Sequence, residues 1–281
     1  MESLLPLLSE VARKYLVALV SPFYLLLIFF IGWQYKRMQQ TQLTADLTRH
    51  SRQYIRSTLV AVVAGALGGF VGSFLLILFG IDLAGLGLIY LFIVALLLMM
   101  IHPRFLCFAY AGGVLSVLSI ATGFPRIQVA HVMALVAILH MVESLLILFT
   151  GHLNPIPIYS RHPGGQMVGG FNLQKFWPLP LVAMMSAGMV SVPMGVENWW
   201  PLLNNGFEIY NGVALSLIPV LAILGYGEVA TTSTPRQRSK RSALYLCLFS
   251  ITLLGLAVLG AHRPAFLILA ADRKSTRLNS S

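Results

Sequence analysis

The sequence predicts an all-α fold: a polytopic transmembrane helix bundle of about eight spans with the start of a ninth. Three observations carry that reading. Of 281 residues, 57% are hydrophobic and only 10% are charged, against about 25% charged in a soluble domain. Mean hydropathy is +0.81. The apolar residues fall in runs of the length a bilayer requires, about 20 residues each. Together these exclude a soluble globular enzyme, a disordered chain and a disulfide scaffold.

In chain order the predicted spans are 15–33, 57–79, 84–101, 105–124, 129–149, 176–194, 212–229 and 243–261. A ninth apolar run opens at Pro264. Very short turns link spans two to five, so these helices are expected to be antiparallel neighbours. The first 14 residues carry Glu2 where a cleavable signal has a basic region, so span one reads as retained. Cys107 and Cys247 fall inside predicted spans and read as small packing residues rather than a disulfide.

Lysine and arginine mark the inner face of a membrane protein. Lys36, Arg37, Arg49, Arg52, Arg56, Arg104, Arg161, Lys175, Arg236, Arg238, Lys240 and Arg241 fall on one side of the predicted topology. Only Arg13, Lys14, Arg126 and Arg263 fall on the other. The expected orientation therefore has an extracytoplasmic N-terminus. Lys36, Arg37 and the Arg236, Arg238, Lys240, Arg241 cluster would then meet the anionic lipid surface. This charge is explained by the bilayer and anionic lipids, and no nucleic-acid partner is inferred from it.

Two features lie inside predicted spans. Ala61, Gly65, Gly69 and Ser73 recur every four residues, a small-residue face that lets another backbone approach closely. Packing within the chain is favoured over oligomerisation. His140 and Glu143 are three apart, so they share a helix face and can pair. An ionisable residue in hydrocarbon turns toward the bundle interior or water, which admits either a proton or substrate site or a structural pair. His131 lies about half a turn round the helix from them and does not complete a metal site.

The hydrolytic signatures HExxH, GxSxG and the phosphate-binding lysine loop are missing from the sequence. No enzyme activity, cofactor or metal is expected. In the 151–175 segment Pro155, Pro157 and Pro163 oppose a continuous helix. It is read as a loop ending in an interfacial anchor of Phe171, Lys175, Phe176 and Trp177. Trp199 and Trp200 are read as a similar anchor on the other face. Both anchors are also candidate docking surfaces.

Residues 272–281, DRKSTRLNSS, follow an apolar run without transition. All ten codons of a common sequencing adapter, read in frame, give this string. The segment is therefore expected to be an artefact, leaving 271 informative residues as an N-terminal fragment. Without its three basic residues and one acid, 16 basic and 8 acidic residues remain, net +8.

Four groups of residues resemble the membrane domain of MinJ-type division-site proteins. They are Ser21, Pro22, Phe23, Tyr24 with Tyr35, Lys36, Arg37; Arg104, Phe105, Leu106 with Ala109, Tyr110; Val168, Gly169, Gly170 through Phe176, Trp177, Pro178, Leu179, Pro180; and Trp199, Trp200, Pro201. The resemblance covers nearly all of residues 15–261. It implies a Gram-positive cell-membrane protein at septum or poles, with a cytoplasmic PDZ domain after the membrane domain. Such a protein bridges DivIVA to the division inhibitors MinC and MinD. The PDZ domain is absent from this sequence, as the adapter reading would explain. The leading expectation is thus a non-catalytic membrane scaffold for division-site selection. The alternatives are a transporter or channel using His140 and Glu143, and a PDZ-type membrane regulator of unassigned role.

Overall fold

The computed structural model describes residues 4–40, 47–101, 108–161, 167–186 and 215–262. Among them are seven α-helices and two small antiparallel sheets, which corrects the predicted eight-span all-helical bundle. Among the described residues three helices are long and apolar enough to cross a membrane, Gln53–Leu78, Val129–Thr150 and Pro235–Ala261, or four if the bent pair Ser9–Leu19 and Pro22–Gln39 is one span.

The predicted first span is broken. Helix α1 (Leu4–Leu19) and α2 (Pro22–Gln40) meet at a 52° bend. Ser21 explains the break: its hydroxyl donates to Ala18 O (2.8 Å) and accepts the amide of Tyr24 (3.2 Å). It thereby caps α2, with Pro22 in the first helical position, where a missing N–H costs nothing. Helix α3 (Leu47–Leu78) is unbroken. Predicted spans three and four correspond to shorter helices, α4 (Leu88–Ile101) and α5 (Phe108–Thr122). Their 14 and 15 described residues reach about 21–23 Å at 1.5 Å per residue, against a bilayer core of about 30 Å.

Helix α6 (Val129–Thr150) is the centre of the fold, with an unbroken buried stretch from His131 to Ile138. It packs on α7 (Pro235–His262) and α3. Ser144 joins α6 to α7 by donating to Ala243 O at 3.0 Å. Phe23, Phe29, Leu67, Met100, Phe149 and Leu248 are exposed, the large apolar surface a protein turns to lipid rather than water.

Predicted spans six and seven fall on strands instead. Strand β3 (Lys175–Ser186) pairs antiparallel with β4 (Leu215–Tyr226), from Lys175 opposite Tyr226 to Ser186 opposite Leu215. Strands β1 (Ile156–Arg161) and β2 (Met167–Asn172) occupy part of the predicted 151–175 loop. With β5 (Val229–Ala230) they form a second sheet in the order β1-β2-β5.

The free edge of β3 lies along α3, and its polar groups are met there. The Tyr35 hydroxyl accepts the Phe176 amide at 3.0 Å. Pro178 and Pro180 have no amide to satisfy. Their carbonyl oxygens occupy the places where a Cβ on Gly65 and Gly69 would stand. The Ser73 hydroxyl accepts the Val182 amide at 2.8 Å while donating to Gly69 O at 2.7 Å. Leu83 N donates to Met184 O at 2.9 Å, and Asp82 Oδ1 accepts the Ser186 amide at 3.0 Å. The spacings agree. Four helical residues rise about 6.0 Å and two strand residues about 6.6 Å. A four-residue small stripe therefore stays in step with alternate residues of a strand. In a water-poor interior an unmatched strand edge is costly, and this matching removes the cost.

Candidate functional site

One end of the molecule collects the polar chemistry. The last turn of α2, the first half of α3, the end of α6, the start of β3 and the start of α7 meet there, beside the β1-β2-β5 sheet. Leu173 N donates to Glu228 O at 2.8 Å, tying β2 to the β5 connection. The Glu228 carboxylate accepts from Arg238 Nε (3.0 Å) and Nη2 (2.7 Å), tying that connection to α7. The sheet is thus fixed to the bundle.

At the centre of this end is Lys175. It is 6% exposed, and its ammonium donates to Asn154 O at 3.3 Å. No carboxylate among the described residues pairs with it. Burial pushes its pKa down to about 8. An ammonium withdrawn from water without a counter-charge costs several kcal/mol. Lys175 lines a cleft of about 200 Å³, counting its open mouth, together with Tyr35, Ser57, Thr150, Asn154 and Trp177. The Trp177 indole N–H donates to Thr150 Oγ1 at 3.0 Å, fixing one wall.

His152 stands beside the cleft, two residues beyond α6. Its Nδ1 is buried and has no hydrogen-bond partner among the described residues. Its pKa is lowered, first by burial and then by the positive charges of Arg236, Lys175 and Lys240. Arg236, Lys175 and Lys240 thus lie near enough to His152 to disfavour its charged form. The carboxylate of Glu228, on the same side, is engaged by Arg238.

The sequence-selected residues are distributed as follows. Lys36 and Arg37 are in the last turns of α2, where Arg37 stacks 5.8 Å from the Trp33 ring centroid. Arg236, Arg238, Lys240 and Arg241 lie in the first two turns of α7, not in a loop. Gly65, Gly69 and Ser73 face a strand edge, not another helix. His140 and Glu143 sit on α6 with Nδ1 and Oε2 2.9 Å apart and the Phe249 ring 5.7 Å from the imidazole. Their side chains are 12% and 15% exposed. Trp177 is fully buried and Lys175 nearly so, and Phe176 packs edge-on to Tyr35. These three are therefore internal parts of β3 rather than an interfacial anchor. Trp199, Trp200, Cys107, Pro264 and residues 272–281 lie outside the described residues.

Sequence reasoning passed over His152 and did not separate Lys175 from its aromatic neighbours. One signal was present: Lys175 directly precedes a long apolar run, with no acid within twenty residues on either side.

Compared with protein-family models, curated proteins and solved structures, the chain matches none. Among the described residues no group of three His, Cys, Asp or Glu could hold a metal ion.

Proposed function

We propose that this chain is a non-catalytic membrane scaffold of the MinJ type, acting in division-site selection at the septum or poles of a Gram-positive cell. In this reading it is a multi-pass protein of the cell membrane, and its basic end faces the cytoplasm. It links a DivIVA-like partner to MinC- and MinD-like partners, with a PDZ domain following the membrane region. Two kinds of support stand behind it: the residue groups that resemble that family, and one structural observation. That observation is the β1-β2-β5 sheet held against the bundle by Glu228 and Arg238, next to exposed Arg236, Lys240 and Arg241. A fixed surface sheet beside basic side chains is the kind of platform on which a cytoplasmic partner docks.

Deletion in the native host tests the reading. Misplaced septa or filaments are expected, and correct septum placement in the deletion strain contradicts it. The 2.9 Å His140–Glu143 contact in an apolar helix favours a second reading, a transporter or channel. Loss of a measured flux in Glu143→Gln, with division undisturbed, would establish the second over the first.

A further inference from the structure

Strand β4 has two edges, and only the one against β3 is accounted for. On β3, Phe176, Val182, Met184 and Ser186 turn backbone groups away from β4, toward Tyr35, Ser73, Leu83 and Asp82. In an antiparallel pair, residues directly opposite each other either both bond across or both point away. Opposite that outward set stand Gly225, Pro219, Leu217 and Leu215, with Ile223 and Leu221 opposite Pro178 and Pro180. These residues of β4 therefore aim their backbone at its far edge. The prolines give an independent check, because a strand proline sits where its missing N–H faces outward. Pro178, Pro180 and Pro219 all fall in the outward set. Among the described residues nothing bonds to that far edge: the amides of Leu217, Leu221, Ile223 and Gly225 have no acceptor, and the carbonyls beside them no donor.

The faces of β4 are in part covered by this chain. Leu217 packs with Val11 and Tyr15 of α1, and Ile218, Val220, Ala222 and Leu224 pack on the main core. The edge is what remains. We propose that β4 pairs with β4 of a second copy of this chain, joining two hairpins into one antiparallel sheet in the order β3-β4-β4-β3. Acyl chains offer no hydrogen bonds and a helix has spent its own, so inside a membrane another strand is what satisfies a strand edge. Among the described residues β3 already has α3 along its outer edge, and β1, β2 and β5 belong to the sheet at the polar end. A strand paired antiparallel with its own copy has two-fold symmetry, so donors and acceptors match along it. β4 also lacks the charged side chain that commonly guards a free edge. The strand runs Leu215–Tyr226, so a two-fold axis at Val220 or Leu221 gives the longest overlap. Either axis keeps the two Pro219 residues from facing each other, where neither could donate.

The experiment uses the full chain in two settings: light scattering in non-ionic detergent, and oxidative cross-linking in phosphatidylcholine vesicles at low protein density. Wild type is expected to have the mass of a dimer. In a background where Cys107 and Cys247 are replaced by alanine, Val220→Cys or Leu221→Cys is expected to give a disulfide-linked dimer. Opposed Cα atoms in such a pair stand about 4.5–5.5 Å apart, within disulfide reach. Met100→Cys, 81% exposed on α4, is expected to give none. The double variant Leu221→Pro/Ile223→Pro removes two outward amides and no bond to β3, and is expected to weaken dimerisation by about tenfold or more. Cross-linking is read with every backbone donor in place, so it decides the question even where the double-proline chain fails to fold. Monomeric wild type, a dimer linked at neither position, or unchanged dimerisation by a folded double-proline chain overturns the proposal. Slow amide exchange at Leu221 and Ile223 in a monomer overturns it too, and assigns the edge to another part of the same chain. No outcome depends on the division phenotype, so the scaffold reading and this interface stand or fall separately.

Discussion

Strand β3 treats polarity in two opposite ways along its length. From Phe176 to Ser186 its outward amides at Phe176, Val182 and Ser186 each meet a side-chain oxygen, from Tyr35, Ser73 and Asp82. Where no partner stands, prolines remove the donor and glycines admit the carbonyls. At the strand's first residue the pattern stops. Lys175 is as buried as its neighbours, yet its charge has no opposite among the described residues. The contrast separates two kinds of polar group in an apolar interior. Matched ones hold the structure, and an unmatched charge works against its own burial.

The largest effect is expected where the matching is tightest. Gly69→Val places a branched side chain where the Pro180 carbonyl already stands. The strand cannot withdraw without losing its pairing to β4, so a destabilisation above about 3 kcal/mol is expected. Size-exclusion profiles and limited proteolysis after purification would register it as loss of folded protein.

Next comes the unmatched group. Burial holds the native pKa of Lys175 at about 8, below the ordinary lysine value of 10.5. Between those values the unfolded chain carries more protons, so stability rises with pH across that window. The gain is on the order of 3 kcal/mol. Melting temperature in phosphate-free buffer should climb from pH 8 to pH 10 in wild type and stay flatter in Lys175→Met.

Ser73→Ala should cost about 1–3 kcal/mol by leaving the Val182 amide without its acceptor. Chemical denaturation of the variant beside Ser73→Thr, which keeps the hydroxyl, would sharpen the comparison. The smallest effect belongs to the surface. Arg238→Gln breaks a partly exposed ion pair with Glu228 and should cost below about 1 kcal/mol, read as a small change in thermal midpoint.

The same contrast explains what the sequence could tell. Hydropathy found the membrane character and the apolar runs that became α3, α6 and α7, because those helices are long and continuous. It failed for β3 because a strand covered on both faces is also a continuous apolar run, and for β4 because its exposed positions, Pro219 and Ile223 among them, are apolar too, so periodicity cannot tell strand from helix. The differentiating signal was proline. Pro178 and Pro180 two apart, and Pro219 mid-run, suit a strand edge far better than a helix interior. Pro22 likewise marked the break inside the first predicted span. The four-residue spacing of Gly65, Gly69 and Ser73, read as a helix–helix contact, lies where α3 meets the edge of β3. It could not name the partner, since a strand advancing two residues fits nearly the same rise as a helix advancing four. The cleft was harder to see. Lys175, Tyr35, Ser57, Thr150 and Asn154 are scattered along the chain, and only folding gathers them.

The backbone of residues 178–184 in lipid bilayers tests the central claim most directly. Solid-state NMR of protein labelled at Leu179, Leu181, Val182 and Ala183 reports secondary structure through Cα and Cβ shifts. Strand shifts at all four, with cross-peaks from Val182 to Ser73, are the result this account requires. Helical shifts through the same residues would restore a sixth membrane-spanning helix and contradict it.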